Sequence, residues 1–83
     1  MSTVELKYVR HSALGFMLWP RTDDLWHSDV GKLLRRVPGE IVSAGFACVA
    51  GGTASCWGES ESLDIKSQKG DSEALAAQLG LDA

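Results

Sequence analysis

Proline and cysteine are both scarce in this 83-residue chain, at two residues each, and there are two histidines. The two cysteines, Cys48 and Cys56, stand apart from each other, and His11 and His27 lie far from both. A structural zinc site announces itself by close pairs of the C-x2-C kind, so this spacing argues against a metal centre. No apolar run approaches the ~20 residues that cross a bilayer, so no membrane partner is expected. The first residues, MSTVELKYVR, alternate in character instead of joining a basic patch to an unbroken apolar stretch, which speaks against a secretory signal. A cytoplasmic chain is the expectation, and there a cross-strand disulfide would be kept reduced. A Gly-Lys-Ser/Thr phosphate loop is missing as well, so no nucleotide and no other cofactor is implied.

What is present describes one globular domain, residues 1–83. Hydrophobic residues make up 45% and charged residues 23%, too apolar for a disordered chain. A domain of this length buries only about 60–65% of its unfolded surface, so modest stability and some help from partners are expected. The net charge is −3 and uneven. Residues 1–40 hold six Lys/Arg against five Asp/Glu, and residues 41–83 hold two against six. An acidic chain without a basic stripe is ill suited to gripping a phosphate backbone, so nucleic acid is disfavoured as a partner. The one basic cluster, Lys32, Arg35 and Arg36, reads as a solvated helix face.

Periodicity supplies the elements. Residues 4–10, VELKYVR, alternate as a half-buried strand, with Val4, Leu6 and Tyr8 on one face and Glu5, Lys7 and Arg10 nearer the other. His11 to Ala13 form a bend, where His11 is exposed. GFMLW, residues 15–19, is a second strand that Pro20 ends. Ser28 reads as the N-cap of a short helix with Asp29 at its positive end. Val30, Leu33, Leu34 and Val37 make that helix's apolar face, and Pro38-Gly39 stops it. EIVSAGFACVA, residues 40–50, is a long strand, the glycines at 51 and 52 turn it, and ASCWG returns. SLDIKS alternates again with Leu63 and Ile65 inward. In GDSEALAAQLGL a second helix starts at Gly70 or Asp71, turns Leu75 and Leu79 to the core, and ends at Gly80 with Leu81 packing back.

The predicted order is β-β-α-β-β-(β)-α, an α+β domain with a mainly antiparallel sheet and two short helices. Residues 59–67 are either a fifth strand or a loop. Of the two sheet edges, Lys66 and its neighbouring carboxylates blunt one, and the first strand is the more available. Ser12-Ala13-Leu14-Gly15-Phe16 echoes Ser43-Ala44-Gly45-Phe46, which would suit two pseudo-repeated ββα units about a twofold axis.

The run SAGF…GTASCWGESESL followed by GDSEALAAQLG resembles small bacterial proteins, often encoded in prophage regions, that have no assigned function. The likeness spans most of residues 40–80. It implies a small accessory or regulatory protein and carries over no catalytic residue.

Candidate chemistry is thin. With Gly51-Gly52-Thr53 as a three-residue loop, Cys48 faces Cys56 across the hairpin; with a two-residue Gly-Gly loop it faces Ser55. Plain packing is the first reading of both thiols. His27-Ser28-Asp29 holds the residue types of a hydrolytic triad, but consecutive residues cannot take up its geometry. Trp26, in a polar loop beside Asp23, Asp24 and His27, is either a lid over the core or an interface anchor, a role tryptophan often takes. Glu59, Glu61 and Asp64 form an acidic edge fit to meet a basic partner. The expectation is a non-catalytic module acting by protein–protein contact or as a homodimer, with Trp26, His27, Glu59, Glu61 and Asp64 as the candidate interface. The alternative is a small enzyme using Cys48 or Cys56 with a histidine, and it requires a thiolate of lowered pKa in an electropositive setting.

Overall fold

The computed structural model describes residues 4–21 and 24–81; Asp23, placed above beside Trp26, lies outside the described residues. Strands β1 (Val4–His11) and β2 (Gly15–Pro20) precede helix α1 (His27–Leu34). Strands β3 (Ile41–Ala50) and β4 (Thr53–Trp57), a small pair β5 (Glu59–Ser60) and β6 (Ile65–Lys66), and helix α2 (Asp71–Leu79) follow. The main sheet is antiparallel in the order β2-β1-β3-β4, and β5-β6 form a separate two-stranded ladder. The fold is thus α+β, with residues 59–67 supplying a short hairpin.

Successive side chains of a strand point to opposite faces, and here both faces of the sheet are covered. On one, Val30 and Leu34 of α1 pack with Val9, Trp19 and Ala44, bordered by Ile41, Leu63 and Ile65. On the other, Leu75 of α2 packs with Tyr8, Phe16 and Ala47, bordered by Leu6, Leu18 and Cys56. Tyr8 and Val9, adjacent in sequence, are therefore both wholly buried. The first strand is not the half-buried, available edge its alternation suggests: it pairs with β2 on one side and β3 on the other. Alternation reports the faces of a strand and is silent about its flanks. Arg10 shares the face of Tyr8, since both reach the same carboxylate. His11 ends β1 and is buried; it is not exposed in a bend.

Strand order divides as two ββα units would, β2-β1 beside β3-β4, while the two helices go to opposite faces. The echoing phenylalanines part in the same way. Phe16 packs under α2 from an edge strand, and Phe46 lies in a central strand against His27 of α1.

Gly51 and Gly52, with φ of +59° and +81°, make a two-residue turn of the kind that matches strand twist. Cys48 then stands opposite Ser55, and Cys56 opposite Ala47. Of the two loop lengths the two-residue turn is the one that forms, and the three-residue loop with its Cys48–Cys56 pairing is not: the two sulfurs belong to opposite faces of the sheet. At α1 the cap is also displaced. Trp26 occupies the N-cap position, and the Asp29 carboxylate, three residues on, accepts from the Trp26 N–H at 2.9 Å. Ser28 lies inside the first turn and donates its N–H to Ser62. Leu33 faces solvent at 72% exposure, so the apolar stripe is narrower than its spacing suggests. Leu79 is exposed too, although the helix ends as expected, with Gly80 at φ +73° and the Leu81 N–H bonded to the Ala76 carbonyl.

Helix α2 is strapped across the sheet from edge to edge. Near its start, Ser72 Oγ accepts from the N–H of Cys56 in β4 at 2.8 Å. At its end, the Gln78 amide accepts from the Phe16 N–H and donates to the Phe16 carbonyl in β2, at 2.8 and 3.1 Å. Both edge strands are engaged by the same helix, one way in which natural sheets manage open edges.

The anchor of α2 is Asp71, which is wholly buried. Its carboxylate accepts from the Tyr8 hydroxyl at 2.6 Å, the Gln68 N–H at 2.8 Å and the Arg10 guanidinium at 3.0 Å. Burial pushes its pKa up, but the Gln68, Tyr8 and Arg10 donors outweigh burial and hold it below the ordinary aspartate value. A carboxylate with a lowered folded pKa adds stability above its unfolded value, and that stability is lost as pH falls through the folded one. Asp71→Asn is expected to cost about 2–3 kcal/mol at pH 7, the scale of a buried charge-assisted network. Urea unfolding should show the gap between wild type and variant narrowing below about pH 4.

Candidate functional site

An eight-residue helix is about 12 Å long, whereas the ten-residue β3 runs about 33 Å. Helix α1 therefore covers only part of its face of the sheet. Beside its N-terminus a cleft of about 340 Å³ remains, lined by Lys7, Trp26, His27, Phe46, Glu59, Glu61 and Ser62. Four of the five sequence candidates, Trp26, His27, Glu59 and Glu61, meet here. Asp64 does not: it occupies the tight turn between β5 and β6 with φ +55°, outside the cleft.

The floor is aromatic. Lys7 of β1 pairs directly with Phe46 of β3, and Phe46 with Trp57 of β4. His27 stands edge-on between Trp19 and Phe46, with centroids 5.4 and 5.7 Å away. Arg21 lies over the Phe46 ring at 4.3 Å and pairs with Glu5 at 2.7 Å. His27 Nε2 bonds the Gly45 carbonyl at 2.8 Å. A carbonyl only accepts, so Nε2 carries the proton and Nδ1 keeps its lone pair. Burial pulls the His27 pKa down; the Gly45 bond works against this and the Lys7 charge adds to it. The imidazole is neutral at pH 7. Gly45 lets the backbone at the end of β4 approach closely, because a side chain there would strike the Trp57 carbonyl.

The rim is different in character. Trp26 is 63% exposed, so it is no lid over the core; Trp19 fills that role, buried with its indole N–H donating to the Leu25 carbonyl at 2.9 Å. Glu59 and Glu61 are exposed on either side of the buried Ser60 and make no ion pair among the described residues. Lys7 donates to the Leu25 carbonyl at 3.0 Å. Sequence reasoning missed Phe46 and Lys7, because nothing local to either strand says that the two are paired.

Hydrolytic chemistry finds no support in this arrangement. His27 spends Nε2 on a backbone carbonyl, and among the described residues no carboxylate bonds the ring. Ser62 Oγ accepts from the Ser28 N–H at 3.2 Å and lies 3.4 Å from Ser60 Oγ. Neither cysteine lines the cleft. Burial pushes the Cys56 thiol up to about 11, and the Asp71 carboxylate pushes the same way. Among the described residues no three His, Cys, Asp or Glu side chains gather as metal ligands, and no helix is long and apolar enough to cross a membrane. Lys32, Arg35 and Arg36 are all exposed, on α1 and the turn after it. Comparison with family models, curated proteins and solved structures finds no match for this chain.

The thiols provide a direct check. Cys56 in the folded protein should alkylate at neutral pH far more slowly than in urea, and mild oxidation should leave the native monomer without an internal Cys48–Cys56 bond. Mass spectrometry after iodoacetamide and after oxidation reads both. Rapid native labelling of Cys56 would restore the cysteine-enzyme reading.

Proposed function

We propose that this chain is a non-catalytic interaction module whose docking surface is the Trp26 cleft. The observation that supports it is a tryptophan with most of its surface in water at the rim of a half-aromatic hollow. Exposed tryptophan is uncommon in a monomer's surface and frequent among the residues that dominate binding energy. Its backbone caps α1, so the indole is presented from a fixed point and pays little entropy on contact. Glu59 and Glu61 set the sign of the partner: a segment bringing a lysine or arginine beside an apolar side chain. The cation meets the carboxylates and the indole face, and the apolar group enters the cleft toward Phe46 and His27.

Selection of random displayed peptides on the immobilised protein tests this. Enriched sequences should carry Lys or Arg next to an apolar residue. Enrichment should vanish on Trp26→Ala and on the Glu59→Gln/Glu61→Gln double variant. Because the indole is exposed, Trp26→Ala should lower folding stability by less than about 1 kcal/mol. A loss well above that would make Trp26 part of the core, and unchanged enrichment on either variant would place the binding surface elsewhere. Sedimentation across protein concentration identifies the case in which a second copy of the chain is the occupant.

A further inference from the structure

A second cleft, of about 360 Å³, opens at the other end of α1, lined by His11, Gly31, Leu34, Arg35, Gly39, Glu40, Ile41 and Ile65. Its distinguishing feature is His11, a polar side chain only 2% exposed. Nδ1 accepts from the backbone N–H groups of Ala13 and Leu14 at 3.1 and 3.3 Å. With Nδ1 committed as acceptor, the neutral ring carries its proton on Nε2. That nitrogen is buried and has no hydrogen-bond partner among the described residues. An unmet buried donor is costly, and such an orphan in a native fold calls for an explanation. Gly39 lies close to the ring: at φ +119°, a Cβ there would sit 2.6 Å from Ser12 Oγ, 2.8 Å from His11 Cε1 and 3.3 Å from Nε2.

The surroundings select among ligands that could supply the missing acceptor. Arg35 gives a positive charge at the mouth, and it makes no ion pair among the described residues. Glu40 gives a negative one, and the C-terminal end of α1 adds negative partial charge beside it. A simple anion would meet opposition from both of the latter, and a simple cation would leave His11 unsatisfied. Leu34, Ile41 and Ile65 add an apolar wall. The geometry points to a small zwitterion with an aliphatic side chain, an α-amino acid of the leucine or valine type. One carboxylate oxygen accepts from His11 Nε2–H and the other faces Arg35; the ammonium faces Glu40; the side chain lies on Leu34, Ile41 and Ile65. Because Nε2 is buried, a ligand reaches it only if the turn at residues 35–39 moves, with Gly39 lying against the ring.

Titration of the labelled protein with leucine, followed by 1H–15N NMR, tests the assignment. Saturable shifts are expected at the amides of Gly31, Gly39 and Ile41 and at the His11 side-chain nitrogens. Isovalerate, which lacks the ammonium, and isoamylamine, which lacks the carboxylate, should each bind at least about tenfold more weakly, the equivalent of losing one charged contact of roughly 1.4 kcal/mol. Arg35→Gln and Glu40→Gln, both at exposed positions, should keep the native spectrum and each weaken leucine by a similar factor. Absence of saturable shifts in the wild type, equal binding of isovalerate, or full affinity in both variants would overturn the proposal.

Discussion

Asp71 loses all contact with solvent in the folded chain, and removing a lone carboxylate from water costs several kcal/mol. The charge is tolerated because three donors from different parts of the molecule converge on it: a hydroxyl and a guanidinium from the central strand β1, and a backbone N–H from the turn before α2. Those bonds fix the start of the helix over the middle of the sheet. From that point Leu75 falls between Tyr8, Phe16 and Ala47, Ser72 reaches one edge strand and Gln78 the other. One face of the sheet and both flanks are thereby engaged by nine residues of helix.

The opposite face is closed less completely, and that difference is where function is to be sought. Helix α1 is too short to run the length of β3, and the β5-β6 hairpin fills only part of what it leaves. Two clefts result, one at each end of the helix, and their chemistry follows from the helix ends. At the N-terminal end the chain enters through Trp26, a residue whose backbone is needed for the cap and whose side chain is left over for contact. At the C-terminal end the chain leaves through a glycine turn lying against an unsatisfied imidazole. A chain of this size has little surplus stability, and neither an exposed indole nor an orphaned buried N–H adds to it.

Much of this architecture was legible in the sequence because it is local. Alternation in VELKYVR and GFMLW, the spacing of Val30 and Leu34, the adjacent glycines at 51 and 52 and the glycine at 80 each report on a few neighbouring residues, and the elements appear where these signals put them. The misreadings share a cause: they depended on what lies beside or above a segment. Nothing within residues 4–11 says that β1 has a strand on each flank, so alternation alone suggests an available edge and an exposed His11. Asp71 looked like any acidic residue in a first helical turn; its burial is set by Tyr8 and Arg10, more than 60 residues away. The cysteine pairing failed on a single residue of loop length, since a shift of one moves a side chain to the other face. Residue type put Trp26, His27, Glu59, Glu61 and Asp64 into one candidate set; the fold brings the first four to a single cleft and leaves Asp64 outside it.

Binding at Trp26 and its cleft, as proposed, would leave the packed Trp19 undisturbed. The indole N–H signals of the labelled protein separate the two, because Trp19 donates to the Leu25 carbonyl inside the fold and Trp26 stands in solvent. Addition of a short peptide carrying arginine beside an apolar residue should shift the Trp26 indole saturably, with the effect fading as salt is raised, and leave the Trp19 indole in place. A Trp26 signal that does not move, or one that moves only together with Trp19 as the core loosens, would contradict the account.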